Sequence, residues 1–331
     1  MPPLEMFRHA PEPDLTGLVA NAEKFFNAGK APATIRAFGS DLACFHAFCA
    51  RNNLPYLPST VETVILYISS LAAAYPPMSY WTIRRRLSGI SWAHRRRGLE
   101  SPAVPRNHFV LREVLAGIRR TLGTAQDGAN PIMTDQIRRI VAACPDNMLG
   151  LRDRALVLFG FAAGSRTNEL ASILDVRNFS LTADGQHLNI RLQCSKTDQD
   201  QAGRDFVVAR GEHESTCPVR AIQSWISAAH LEQTDGPIFR AVSRHGKVSP
   251  HALSRRSVSK ILKAAAARAG LDPSELSPHG LRAGMCTSAA LAGATEMEIA
   301  SLSGHRSVAT VRRYVRAADV LRRNASARLG L

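Results

Sequence analysis

The segment SPHGLRAGMCTSAALAGATEMEIASLSGHRSVATVRRYVR, residues 277–316, is the part of the sequence on which the interpretation of the whole chain depends. Pro278 favours a helix start there, because proline has a fixed φ and its missing N–H is not needed in the first turn. His279 and Arg282 then lie three residues apart on one helical face, where they can bind one anion together. A His-x-x-Arg pair is also common on protein surfaces, so its meaning depends on the residues around it.

The rest of the segment adds an adjacent Gly304-His305 pair and a lone tyrosine, Tyr314, nine residues after that histidine. With His279-Gly280-Leu281-Arg282, their order and spacing resemble those of the tyrosine recombinases, the phage integrase superfamily, and in particular its two-domain, Cre-type members. That family has an H-x-L-R box, a Gly-His box and a nucleophilic tyrosine nine residues later. Ser303 departs from the leucine that usually precedes the glycine, and we expect no consequence of this departure for catalysis.

The resemblance implies two further features upstream: an arginine with a glutamate three residues later, and a lysine on a β-hairpin. Arg166 and Glu169 match the first feature. The sequence predicts strands over 188–192 and 205–209 around a polar turn, and Lys196 lies near the end of the first strand. Taken alone, Arg166 and Glu169 also suit a structural ion pair, and Lys196 also suits a solvated turn.

The charge balance favours a polyanionic partner. The chain has 331 residues and a formal net charge of +15, with 42 Lys and Arg residues against 27 Asp and Glu residues. Residues 1–130 carry a net charge of +6 and the remainder carries +9, so neither part is merely a basic tail. Positive charge on both parts indicates that both contact the same polyanion, although a simply basic protein has the same composition.

Other compositional features argue against several classes of site. The six cysteines form no CxxC pair, and the histidines form neither an HExxH motif nor a Cys/His cluster. We therefore expect reduced thiols, no metal and no cofactor. The sequence has no signal-peptide pattern and no run of eighteen apolar residues. We expect a soluble cytoplasmic protein, associated with the nucleoid through DNA and not with a membrane.

Helical periodicity dominates the first part of the chain, whereas the predicted hairpin lies in the second. Ser59 and Glu62 have the spacing of a capping box for a helix over 61–73. We therefore predict a mainly α fold with a small β-sheet, the second domain being α+β. The pattern also predicts a disordered lead-in (1–13), a helical domain (14–123), a linker (124–131) and a second domain ending in a tail helix (132–331). The resemblance to the tyrosine recombinases implies that the helical domain is a core-type DNA-binding domain of SAM-like fold and that the second is the tyrosine-recombinase catalytic domain.

Arginine is clustered on the predicted helices, and like charges on one helix repel each other unless an anion neutralises them. DNA phosphates would do so, although a solvated basic face is the alternative. The residues predicted to bind DNA are Arg84, Arg85, Arg86, Arg95, Arg96, Arg97, Arg119, Arg120, Arg255, Arg256 and Lys260.

For the residues of the boxes, the resemblance implies attack on a DNA phosphodiester without metal or ATP, with Tyr314 forming a 3′-phosphotyrosyl intermediate. The resemblance implies that Arg166 and Arg282 clamp the phosphate and that Glu169 supports them. His279 and His305 would donate hydrogen bonds to the phosphate, and His279 would also accept the tyrosine proton. Lys196 would protonate the leaving 5′-oxygen. The expected partner is double-stranded DNA with inverted-repeat sites, and no small-molecule substrate. The protein would be a monomer or dimer when free and would assemble into a homotetramer on this DNA.

Two alternatives remain open from the sequence. A type IB topoisomerase uses the same residues to relax DNA without exchanging partners. A DNA-binding protein without catalysis would serve as a regulator or architectural factor, although the complete set of box residues argues against a loss of activity. A metal-dependent nuclease is disfavoured because no carboxylate cluster is evident.

Overall fold

The computed structural model of the protein describes residues 16–125, 128–192 and 203–322. The predicted lead-in, Lys196 and the chain beyond residue 322 lie outside these ranges, as does part of the predicted linker. The chain divides into two compact units, Met1–Asp127 and Gly128–Leu331.

The described residues of the N-terminal unit form helices joined by loops, with no β-strand among them. Its core is formed by apolar stripes that recur at helical spacing, with Phe45, Tyr67, Ile83 and Leu111 among the fully buried side chains. The five helices are α1 (Thr16–Ala28), α2 (Pro32–Arg51), α3 (Val61–Ala72), α4 (Tyr80–Arg95) and α5 (Phe109–Leu122).

The start of α3 corrects one prediction. The N-cap of this helix is Thr60, whose hydroxyl accepts a hydrogen bond from the backbone N–H of Thr63 at 3.3 Å, and not Ser59. The backbone N–H of Ser59 instead donates to Nε2 of His94 at 3.0 Å. His94 is buried on α4, so this contact is a tertiary one that local spacing does not reveal.

The C-terminal unit combines seven further α-helices with two small antiparallel sheets among its described residues. The helix α7 crosses its core, with nine buried residues. The elements in chain order are α6 (Thr134–Ala142), α7 (Met148–Ala162), β1 (Phe179–Leu181), β2 (His187–Leu192), β3 (Arg204–Ala209), α8 (Pro218–Ala228), β4 (Arg240–Val242), β5 (Val248–Ala252), α9 (Arg255–Arg268), α10 (Pro278–Leu291), α11 (Glu296–Ser303) and α12 (Val308–Arg322). The mainly α fold with small sheets is confirmed.

The three-stranded sheet has the order β1-β2-β3, and the predicted hairpin strands are confirmed, each beginning one residue earlier than expected. Leu188, Ile190 and Leu192 alternate with more exposed residues on β2, so one face of the strand packs on the core. The register pairs Leu192 with Arg204, which places Arg204 at the first position of β3.

The helix α10 is held against the first described segment of the C-terminal unit. The backbone N–H of Ile132 donates to the carbonyl of Gly280 at 3.0 Å. A Cβ at Gly284 would lie 1.9 Å from the carbonyl oxygen of Ile132, and one at Gly280 would lie 2.5 Å from that of Asn130. Glycine at both positions therefore lets the incoming backbone cross directly over the helix.

A small apolar cluster joins α10, α11 and α12. Its buried members are Met285, Cys286, Ala290, Ile299 and Val311, and Tyr314 packs against it. The cluster thus fixes α12, and with it Tyr314, against α10 and α11. No helix in the described part of the chain is long and apolar enough to cross a membrane.

Candidate active site

The first turns of α10 carry two predicted site residues in different environments. Pro278 occupies the first helical turn, as the sequence predicts. His279 is exposed, whereas Arg282, one turn later, retains only 2% of its accessible surface. The helix therefore presents an imidazole at the surface and a buried guanidinium beneath it.

Arg282 is only partly satisfied by the protein. Its Nη1 donates to the carbonyls of Gly164 at 2.7 Å and Ser303 at 2.6 Å. Its Nη2 is buried and has no hydrogen-bond partner among the described residues. An unpaired buried donor costs about 1–3 kcal/mol, and more when it is charged, so this nitrogen favours an anionic acceptor. Burial and the nearby Arg166 lower the pKa of Arg282 to about 10, which still leaves it charged at neutral pH.

Arg166 lies beside Arg282 and is oriented by Glu169. One carboxylate oxygen of Glu169 accepts from Nη1 of Arg166 at 2.8 Å, and the other accepts from the backbone N–H of Arg166 at 2.8 Å. Glu169 is 2% exposed, so its carboxylate is held in one place. The remaining Nη2 of Arg166 donates to the carbonyl of Gly304 at 2.9 Å.

Gly304 ends α11 in the left-handed conformation, with φ 67° and ψ 41°. A Cβ there would lie 2.8 Å from Cζ of Arg204, in addition to the strain of a positive φ. The backbone turn therefore favours glycine at this position, and a side chain here would also displace the guanidinium of Arg204.

Three arginines cover the C-terminal end of α11. A helix end leaves its last carbonyls without intrahelical partners and carries partial negative charge. Nη1 of Arg204 donates hydrogen bonds to the carbonyls of Ser301 at 3.0 Å and Leu302 at 2.7 Å, which are among these unpaired groups. Arg282 and Arg166 donate to the next two carbonyls along the chain. The helix end thus orients both guanidinium groups that the sequence predicts to be catalytic.

His305 follows directly after this turn. Its Nδ1 lies 2.6 Å from the hydroxyl of Ser303, and its ring centroid lies 6.2 Å from that of Tyr314. Burial, followed by the charges of Arg282 and Arg166, lowers the pKa of His305 to about 3, so its imidazole is neutral at pH 7. Although His279 keeps accessible surface, the surrounding protein removes part of its solvent, and this desolvation, together with the charges of Arg282 and Arg166, lowers its pKa below the usual value.

Tyr314 is partly buried on α12, beside His305 and above the apolar cluster. Burial, with a smaller contribution from Cys286, raises the pKa of its phenol above the ordinary value of 10. The phenol is therefore protonated at neutral pH, and it needs an acceptor for its proton before it can act as a nucleophile.

Comparison with known proteins agrees with this arrangement of two arginines, a histidine and a tyrosine. A model of the phage integrase family matches residues 131–320, more than half of the chain. An integrase/recombinase xerD homolog of Selenomonas ruminantium is 31% identical over 313 residues, covering 94% of this chain and 89% of that protein. The chain belongs to the phage integrase family. It is a site-specific recombinase of the tyrosine type.

Other phage integrase relatives extend the match. The recombinase cre of Escherichia phage P1 is 26% identical over 290 residues, which cover 82% of this chain and 80% of that protein. Among solved structures, XerH bound to palindromic difH substrate in a post-cleavage complex has a TM-score of 0.59 at 18% identity, covering 88% of this chain and 78% of that one. A lambda integrase tetramer bound to a Holliday junction has a TM-score of 0.54 at 15% identity, covering 94% and 83%. These structures share the integrase fold.

The integrase fold brings most of the predicted box residues together. Arg166, Glu169, Arg282 and Gly304-His305 form one connected network, and Tyr314 lies against His305. His279 lies one turn from Arg282, close enough for the charges of Arg282 and Arg166 to lower its pKa. Lys196 lies outside the described residues, so its role stays a prediction.

Most of the residues predicted to bind DNA are exposed, and Arg86 is the clearest exception. Its Nη1 donates to the hydroxyl of Tyr67 at 2.6 Å, and its side chain retains 14% of its accessible surface. Arg96 is also partly buried, with its guanidinium over the rings of Phe26 and Trp92. The rotation of the helix turns Arg86 and Arg96 towards the protein, and contact of either residue with DNA stays a prediction. The exposed members are Arg84, Arg85, Arg95, Arg97, Arg119, Arg120, Arg255, Arg256 and Lys260.

Two residues of the network were not expected to contribute. Arg204 opens β3 and is far from α11 in sequence, so no local pattern indicates its contact with that helix. Ser303 differs from the usual family residue, and this difference was the one signal that pointed to it. Within the described ranges, no group of three or more His, Cys, Asp or Glu residues could hold a metal ion.

Proposed function

We propose that the protein cuts and rejoins DNA strands at specific sites through a 3′-phosphotyrosyl intermediate on Tyr314, without metal or ATP. The observation that carries this proposal is the buried, unpaired Nη2 of Arg282 beside Arg166, next to His305 and Tyr314. Two guanidinium groups held by one helix end, with a nucleophile adjacent, suit a single phosphate group.

In this proposal the two arginines bind the non-bridging oxygens of the scissile phosphate. Both are already held by backbone carbonyls, so little reorganisation is needed as negative charge develops in the pentacoordinate transition state. Glu169 keeps the guanidinium of Arg166 in its orientation and balances part of the positive charge before DNA binds.

Tyr314 attacks the phosphorus as its phenol loses a proton to a neighbouring imidazole, and the 5′-oxygen of the DNA leaves. Lys196 is the proposed proton donor to that oxygen. The phosphodiester is replaced by a phosphotyrosyl ester, so the energy of the broken bond is kept in the new one and no external energy source is needed. Attack by a 5′-hydroxyl of a partner duplex reverses the step and joins new strands.

The proposed substrate is double-stranded DNA with inverted-repeat sites, bound by a homotetramer. The net charge of +15 and the exposed arginines of both units support a DNA partner. The XerH relative is described as bound to a palindromic substrate, and the lambda integrase relative as a tetramer on a Holliday junction. We further propose that residues 14–123 form the core-binding domain and residues 132–331 the catalytic domain.

The test is a recombination assay on a plasmid that carries two copies of a DNA site bound by the protein. We expect the wild-type protein to invert or excise the intervening DNA in the presence of a metal chelator, and Tyr314→Phe to bind the site without exchange. Relaxation of the plasmid without exchange would contradict recombination and favour a type IB topoisomerase. Binding without exchange or relaxation by the wild type would favour a non-catalytic DNA-binding protein.

A further inference from the structure

Two neighbouring arginines on α4 differ in their partners. Arg84 and Arg85 are both exposed, and the sequence predicts DNA contacts for both. Nη1 of Arg85 donates to Oδ2 of Asp41 on α2 at 2.5 Å. The guanidinium of Arg84 has neither a hydrogen bond nor an ion pair among the described residues of this unit. One of two adjacent cations therefore has an acidic partner, and the other faces solvent.

Asp41 lies where α2 and α4 pack closely together. It is 3% exposed, and a Cβ added to Gly89 of α4 would lie 3.2 Å from its Cβ. Nε of Arg86 lies 3.9 Å from the other carboxylate oxygen, but Nη1 of Arg86 is bonded to Tyr67. Burial raises the pKa of the Asp41 carboxyl, and the charges of Arg85 and Arg86 oppose this rise. The carboxylate is thus fixed by its surroundings, and it fixes the end of Arg85 in turn.

The ion pair leaves part of the Arg85 guanidinium free to bind a ligand. The side chain of Arg85 retains 47% of its accessible surface. With Nη1 bound to the carboxylate, Nε and Nη2 remain as two donors side by side, which suit two adjacent acceptors on one ligand. A side chain that is already held in place loses less conformational entropy on binding. Arg85 is therefore pre-organised as a bidentate donor.

The carboxylate of Asp41 also determines which acceptors suit Arg85. A phosphate bound to this guanidinium would be repelled by the nearby negative charge, which also offsets the positive charge that attracts the phosphate. A base edge has neutral acceptors, so the same carboxylate weakens its binding far less. In the major groove, guanine presents the acceptors N7 and O6 side by side, and one arginine can donate to both. The pair therefore favours guanine over the DNA backbone.

We propose that Arg85 is a specificity-determining residue that contacts a guanine in the major groove of the DNA site, and that Asp41 is the positioning residue that holds its guanidinium. The inference rests on the proposed role of residues 14–123 as a DNA-binding domain. It divides the exposed arginines of α4 into two classes. Arg84, which has no acidic partner, suits a phosphate, whereas Arg85 suits a base.

The test uses a pool of random-sequence duplexes, from which the full-length protein selects its preferred sites. We expect the wild type to prefer guanine at one position of each half-site, and to bind a duplex with A·T there about 5–150-fold more weakly, the range for one bidentate contact. Arg85→Gln should lose this preference without changing the slope of log K against log salt, because no phosphate contact is removed. Arg84→Gln is the matched control and should keep the preference for guanine.

Asp41→Asn separates positioning from packing, because it keeps the size of the side chain and removes its charge. We expect this variant to discriminate less between the two duplexes and to bind random duplexes more tightly, because the charge of Arg85 is no longer offset. A purely structural ion pair predicts a lower unfolding temperature with an unchanged base preference, and that result would overturn the proposal. A folded Arg85→Gln protein that keeps the preference and has a smaller salt slope would overturn it too. A wild type that selects no sequence would contradict the proposed DNA-binding role of residues 14–123 as well.

Discussion

Arg282 is the residue whose environment is hardest to explain without an anion. Its guanidinium is 2% exposed, it already donates to two carbonyls, and one nitrogen remains buried without a partner in the described part of the chain. The planar fork of arginine can satisfy two fixed acceptors and still present a further donor. Lysine, with one ammonium group, cannot keep both backbone contacts and also reach a phosphate.

We therefore expect Arg282→Lys to lower the rate of DNA cleavage by about 10²–10³-fold, as for the loss of one preorganised donor in other enzymes. Binding to the intact site should change far less, because many other cations contact the backbone. The measurements are single-turnover cleavage and a binding titration. The matched control is Arg138→Lys, at an exposed arginine of α6. Equal cleavage rates in the two variants would contradict the role of Arg282.

His305 should make the folded protein sensitive to acid. Its folded pKa of about 3 is lower than the ordinary value of about 6.5, so the unfolded chain binds more protons between these values. Stability must then fall as the pH is lowered through that window. We expect the wild type to lose about 1–2 kcal/mol more than His305→Gln between pH 7 and pH 5, measured by urea unfolding. Equal losses would mean that His305 is not held neutral by its surroundings.

At the scale of the element, α11 organises the site through its C-terminal end. This helix has only eight residues, yet Arg204, Arg282 and Arg166 all donate to the carbonyls at its end. Two of these arginines are predicted to be catalytic, and the third comes from β3. The geometry of the proposed phosphate clamp therefore depends on Arg204, a residue to which the sequence assigned no role in the chemistry.

Arg204→Met should separate this supporting role from a general loss of stability. The variant keeps apolar contact with Phe206, over which the guanidinium lies at 4.3 Å, but leaves the carbonyls of Ser301 and Leu302 without their donor. We expect a loss of about 1–2 kcal/mol in the free energy of unfolding. We also expect a reduced cleavage rate at temperatures where the protein stays folded. Arg191→Met, at an exposed arginine on β2, is the control and should change neither quantity appreciably.

Sequence reasoning succeeded where the determinants are local. The start of α10 at Pro278 follows from one residue, and the strands β2 and β3 follow from short apolar runs. It failed where a contact joins distant segments. Thr60 caps α3 while the backbone N–H of Ser59 donates to His94, and Arg86 turns inward to Tyr67. The contact of Arg204 with α11 has no sequence signal for the same reason.

At the scale of the whole molecule, positive charge on both units should govern affinity for DNA. Each phosphate contact that is lost reduces the slope of log K against log salt by about 0.9. Arg95 and Arg97 are exposed at the end of α4. We expect the double variant Arg95→Gln, Arg97→Gln to reduce the salt slope by about 1–2, measured by titration at several salt concentrations. The control is Arg177→Gln, whose guanidinium pairs with Asp175; a slope that is the same in both would remove α4 from the DNA interface.

The central claim is that Tyr314 becomes covalently joined to DNA, and trapping the adduct tests it most directly. A duplex carrying a bound site is nicked close to the cleavage position, so that the 5′-hydroxyl fragment diffuses away after attack and the strand cannot be resealed. With a metal chelator present, we predict an SDS-stable, protease-sensitive adduct for the wild type, a phosphotyrosyl peptide containing Tyr314 by mass spectrometry, and no adduct for Tyr314→Phe. An adduct that forms equally with Tyr314→Phe, or that maps to another residue, would contradict the account.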